Sequence, residues 1–189
     1  IALIGALFQD DSQGPVSEDG AQDPGAHARA RQAFRLLEIW NRVPGAADDG
    51  TLDLDSLEGW LRDARAQAAE MNRLAFADRR IGHVLAASPV GDDGVWPHEA
   101  VREALDNLRS KDMFEGFTIA ALNRRGLTTR QVGDGGEQER ALAAQYRSWS
   151  EATNAEHPYT SRALDELARS YEEQARRHDD DAASLDWSD

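Results

Sequence analysis

Apolar residues recur along this chain at three- and four-residue spacing in seven successive stretches, each bounded by proline, glycine or aspartate, which is the signature of amphipathic helices. The first stretch runs from Ala26, with Ala30, Ala33, Phe34, Leu37 and Trp40 on one side, and closes at Pro44-Gly45. The second follows Asp53 or Asp55 as N-cap and carries Leu54, Leu57, Trp60, Leu61, Ala64, Ala68 and Met71, with Arg62 and Arg65 on the wet face. A third spans about Ala77 to Ser88, with Ile81, Val84 and Leu85 inward and Pro89 as its stop. Pro97 is placed at the first position of a fourth, whose inner face is Val101, Ala104, Leu105 and Leu108. Met113, Phe114, Phe117, Ala121 and Leu122 mark a fifth, ended by Gly126, and Leu142, Tyr146 and Trp149 mark a sixth. After Pro158, the seventh carries Leu164, Leu167, Tyr171 and Ala175 and frays at Asp179-Asp180-Asp181.

The pattern predicts an all-α fold of about seven helices, packed as antiparallel hairpins, a bundle or a short helical-repeat-like array. Outside the apolar run Ile1 to Phe8, only Leu127 to Val132 has a strand-like composition. Residues 9–25 are rich in Gly, Pro, Asp, Ser and Gln and read as a linker. The expected organisation is therefore an apolar leading segment and linker over 1–25, one helical domain over 26–183, and an acidic tail over 184–189. Asp49-Gly50 and Asp93-Gly94 lie 44 residues apart, and the same offset pairs Leu52 with Trp96, Leu57 with Val101 and Leu61 with Leu105. That period falls in the range of paired-helix repeats. Generic turn chemistry between helices accounts for the same dipeptides without a repeat.

Charge narrows the function classes. The 189 residues hold 21 Lys+Arg against 35 Asp+Glu, a formal net charge of −14. Nucleic-acid binding draws on Lys and Arg contacts to phosphate, so this field disfavours DNA, RNA and anionic membranes. The chain contains no cysteine, which removes disulfides, thiolate metal sites and a Cys nucleophile. No stretch has the roughly 18 apolar residues needed to span a bilayer. Ile1 to Phe8 has neither a basic flank nor a small-residue cleavage site, so a cytoplasmic location is expected. Only Lys111 among the 21 basic residues is a lysine, in keeping with a bacterial coding sequence rich in G and C.

The candidate chemistry is sparse. Placing Gly50 at the turn position of a calcium loop puts Gly45 and Ala47 where oxygen ligands belong and Ser56 where the bidentate Glu belongs; the Gly94 loop fails similarly. These aspartates read instead as helix caps. Gly133-Asp134-Gly135-Gly136 precedes a helix but lacks the Lys-Ser/Thr of a phosphate loop. No two of His27, His83, His98, His157 and His178 share one helix face at ligand spacing. His83 lies beside the apolar stripe of the third helix, while His98 and His157 adjoin prolines and are expected to face solvent. Neither a metal nor a cofactor is implied. Trp96, in a turn beside Pro97, either fastens that loop or meets a partner.

The runs Trp40-Asn41-Arg42-Val43-Pro44-Gly45, Asp49-Gly50, Gly94-Val95-Trp96-Pro97, Asn123-Arg124-Arg125-Gly126 and Gly135-Gly136-Glu137-Gln138-Glu139-Arg140 are together similar to a helical C-terminal region of long bacterial proteins without assigned activity. The resemblance spans about Phe34 to Ala183, carries no catalytic residue across, and implies a module of a larger protein. The absence of an initiating Met and the apolar leading segment fit the same expectation. The leading functional reading is a non-catalytic helical scaffold or protein-interaction module, with an upstream domain of the same polypeptide or another, basic, protein as partner. Trp96, Arg124, Arg125 and Asp134 are the expected contact residues. The alternative is a hydrolase whose Asp or Glu residues converge with His83 or His98 only in the fold, in a deep pocket.

Overall fold

The computed structural model describes residues 42–124 and 136–186. Six helices occupy them: α1 (Leu54–Glu70), α2 (Leu74–Leu85), α3 (Glu99–Leu108), α4 (Lys111–Asn123), α5 (Glu137–Thr153) and α6 (Pro158–Asp186). They correspond to the second through seventh stretches of the periodicity; the first, together with Leu127 to Val132, lies outside the described residues. Among the described residues there is no strand, only an isolated bridge between Ala46 and Leu52. The fold is all-α.

Local chemistry sets the boundaries. Asp53 caps α1 by accepting from the Asp55 N–H, and Ser110 caps α4 by accepting from the Met113 N–H. The α1–α2 and α3–α4 turns each pass through a left-handed non-glycine residue, Asn72 at φ 55° and Arg109 at φ 44°. The structure differs from the sequence pattern at two helix ends. Pro97 is not the first residue of α3, because His98 intervenes as the N-cap and its Nδ1 accepts from the Ala100 N–H at 3.2 Å. Its side chain is only 12% exposed, so His98 does not face solvent as expected from its neighbouring proline. Nor does α6 fray at Asp179: it continues to Asp186, and Asp179 accepts from the Gly136 N–H at 2.8 Å and pairs with Arg140 at 2.6 Å. An aspartate that looked like the start of a tail caps α5 from the side.

The loops before α1 and α3 repeat one hydrogen-bond scheme. Ala47 N–H donates to Thr51 C=O at 2.8 Å, and Gly91 N–H to Val95 C=O at 2.9 Å. Gly50 N–H reaches Ala47 C=O as Gly94 N–H reaches Gly91 C=O, with φ of +90° and +76° at the two glycines. Asp49 and Asp93 each accept the N–H two residues on, and Leu52 and Trp96 each bury as the loop closes. The closing bond shifts by one residue, Asp53 N–H to Gly45 C=O against His98 N–H to Pro89 C=O. The described chain thus contains two loop–helix–helix units, residues 45–85 and 89–123, followed by the α5–α6 pair.

Packing between the units joins corresponding helices. Between the two units the most extensive packing joins α2 to α4, their second helices; over the described residues the α5–α6 pair is packed at least as extensively. A Cβ on Gly82 would stand 2.1 Å from Met113 O, and one on Gly116 would stand 1.9 Å from Arg79 O. Backbone meets backbone there, a contact only glycine permits. The α5–α6 pair does form a hairpin, closed by hydrogen bonds between Ser150 and Ser161. It docks on the units through Asp106 of α3, which accepts from Tyr159 N–H, Thr160 N–H and Thr160 Oγ1 at the start of α6. One core of Leu57, Leu61, Ile81, Leu85, Val101, Leu105, Phe117, Leu164 and Leu167 runs through both units and α6.

Candidate functional site

Alongside the α2–α4 contact, α1 and α3 border a groove of about 350 Å³. Glu58, Leu61, Arg62 and Arg65 line it from α1, and Ala104, Asn107 and Leu108 from α3. The α1 residues stand at i, i+3, i+4 and i+7, which is one helix face. Leu61 and Ala104 form a buried floor and Leu108 is half-buried, while Arg62 and Asn107 are exposed at the rim.

The charges of the groove differ in how far they are committed. Arg65 donates from Nε and Nη2 to both carboxylate oxygens of Asp78 on α2, at 2.8 and 3.2 Å, and Asp78 is buried. That bidentate pair holds the guanidinium in place. Glu58 and Arg62 are one turn apart in the order that favours an intrahelical ion pair, yet neither makes an ion pair or a side-chain hydrogen bond. Elsewhere Arg42, Arg79, Arg102, Arg140, Arg147, Arg162, Arg169 and Arg177 are taken by the chain's own carboxylates.

Other polar clusters serve the fold. Arg102 is buried, donates to both oxygens of Asp93 at 2.8 and 2.7 Å, and to Pro97 C=O at 2.7 Å. Burial pushes Asp93 upward, but the Val95 N–H and Arg102 outweigh it and hold the carboxyl below its ordinary value. Arg147 bridges Asp165 and Glu172 between α5 and α6. Tyr146 is pushed up to about 12 by burial and by Tyr171 stacked on it at 5.5 Å, so it stays protonated.

The described histidines do not converge on the groove. His83 is half-buried, and burial with the adjacent Arg80 and Arg79 lowers its pKa. His98 is the α3 cap, His157 is half-exposed before Pro158, and His178 stands 3.8 Å from the buried Glu139. Among the described residues no group of three or more His, Asp and Glu is placed to hold a metal ion.

Of the expected contact residues, Trp96 is 9% exposed: its ring stacks on Phe117 at 5.1 Å, meets Tyr146 edge-on at 5.9 Å, and donates from Nε1 to Ser88 C=O at 3.0 Å. Its observed contacts are those of a loop fastener. Arg124 is exposed just beyond the end of α4, whereas Arg125 and Asp134 lie outside the described residues. Sequence reasoning missed Glu58, Arg62 and Asn107 as a set. The Glu58–Arg62 spacing was visible on the wet face of α1, but nothing in the periodicity pairs α1 with α3.

Compared with known proteins, the chain matches no family model, no curated protein and no solved structure.

Proposed function

We propose that this chain is a non-catalytic helical scaffold and protein-interaction module of a larger, cytoplasmic bacterial protein, and that the groove between α1 and α3 is its contact surface. The carrying observation is the uncommitted Glu58–Arg62 pair beside an apolar floor, in a chain whose other described polar clusters largely stabilise loops, caps and helix pairs. Repeated loop–helix–helix units bind through a surface built from corresponding helices of neighbouring units, and α1 and α3 are the corresponding first helices here. The partner is an upstream domain of the same polypeptide or another protein. The resemblance to helical C-terminal regions of long bacterial proteins supports the same reading.

Photo-crosslinking in the bacterial cell tests it. A benzophenone side chain at Asn107 is expected to yield a discrete intramolecular or intermolecular adduct, and the same group at the exposed Glu173 of α6 is not. Equal labelling from the two positions, or none from either, would overturn the proposal.

A further inference from the structure

The groove has a shape and a charge pattern that specify its occupant more closely than an unspecified protein. Its lining spans i to i+7 on α1, a length of about 10 Å at a rise of about 1.5 Å per residue. On α3 the lining residues Ala104, Asn107 and Leu108 stand at i, i+3 and i+4. Two helix faces at these spacings present the ridges and grooves that receive a third helix. The rim is open, with Arg62 and Asn107 exposed, so the space suits a row of side chains from a ligand lying along it better than an enclosed small molecule.

Charge sets the rest. Glu58 and Arg62 are separated by one turn, and each head group is available. Arg65, next along the same face, is neutralised by Asp78 and adds little net charge. The rim is therefore dipolar along the α1 axis, negative at Glu58 and positive at Arg62.

Resting on the interaction reading above, we propose that the α1–α3 groove binds a short amphipathic helix that carries an aliphatic ridge, an acidic residue opposite Arg62 and a basic residue four positions away opposite Glu58. The ridge sits over Leu61, Ala104 and Leu108, and Asn107 supplies an amide to the ligand's polar flank.

Three fluorescein-labelled 15-residue helical peptides with one common leucine ridge test this by anisotropy: one with Glu four residues before Arg on its flank, one with that order reversed, and one with Gln at both places. One dipolar peptide is expected to bind at least tenfold more tightly than the Gln peptide. The double variant E58R/R62E is expected to lose at least tenfold for that peptide and to gain for the reversed one. Asn107→Trp, which fills the groove, is expected to abolish binding by both, with melting curves confirming that each variant folds. Equal affinity for all three peptides, no binding by any, or indifference to the charge swap overturns the proposal. If the peptides fail while the adduct from position 107 persists in cells, the interaction reading stands and only this ligand chemistry falls; if both fail, both fall.

Discussion

His83 shows how one side chain couples the fold to pH. Its ring is half-buried on α2, and burial, then Arg80 and Arg79, disfavour the imidazolium, so its folded pKa lies below the ordinary 6.5. The unfolded chain then binds the proton more readily, and stability falls as pH drops from about 6.5 to the folded value. Stability measured by urea unfolding is expected to be lost over that window in the wild type and less so in His83→Gln; parallel curves would contradict this. At Trp96, the stacked and edge-on contacts to Phe117 and Tyr146 make it the largest ring in the closure of its loop. Trp96→Ala is expected to cost about 3–5 kcal/mol by chemical denaturation. The sequence placed Trp96 in a turn and left its role open, because burial of a loop residue depends on what arrives from α4 and α5. Trp60 is the converse: its stripe position reads as fully inward, but it is only half-buried at the edge of the core.

At the scale of helices and loops, periodicity located the second through seventh stretches as α1 to α6, and turn chemistry located their caps, because both signals are local. What escaped it was long-range. Asp179 is capped onto α5 from 43 residues away, and Asp106 caps α6 from 53 and 54 residues away. Neither relation leaves a mark in the spacing of apolar residues. Asp106→Ala removes three acceptor contacts at the start of α6 and is expected to cost about 2 kcal/mol, the upper range for a helix cap. The α2–α4 contact was equally hidden, since Gly82 and Gly116 look like ordinary helix-weakening glycines until their backbones meet. Gly116→Ala would force the helices apart and is expected to destabilise by about 3 kcal/mol, the upper range for overpacking; a neutral effect in denaturant unfolding would show that the helices do not cross there.

Over the whole molecule the formal net charge is −14. Many carboxylates already serve the fold. Asp179 is held below its ordinary value first by the Gly136 N–H and then by Arg140 and His178, against the opposing pull of burial, and Asp49 is held low mainly by Thr51. A depressed carboxylate contributes stability above its unfolded pKa of about 3.8 and loses it as pH falls through the folded value. The stability gap between wild type and Asp179→Asn is therefore expected to be full at pH 5 to 7 and to close on acidification below about pH 4. Acid also relieves the global repulsion, so the gap rather than either curve is the readout.

The groove was only half legible because its two charges and one helix face were in the sequence, while the opposing face came with the long-range packing of the two units. Amide hydrogen exchange on the chain alone and joined to the partner captured from position 107 tests the interaction surface most directly. Slowed exchange is expected to concentrate on Leu54–Glu70 and Glu99–Leu108, with α5 and α6 unchanged. Protection confined to α5 and α6 or to the Arg124 end of α4, or no protection at all, would contradict it.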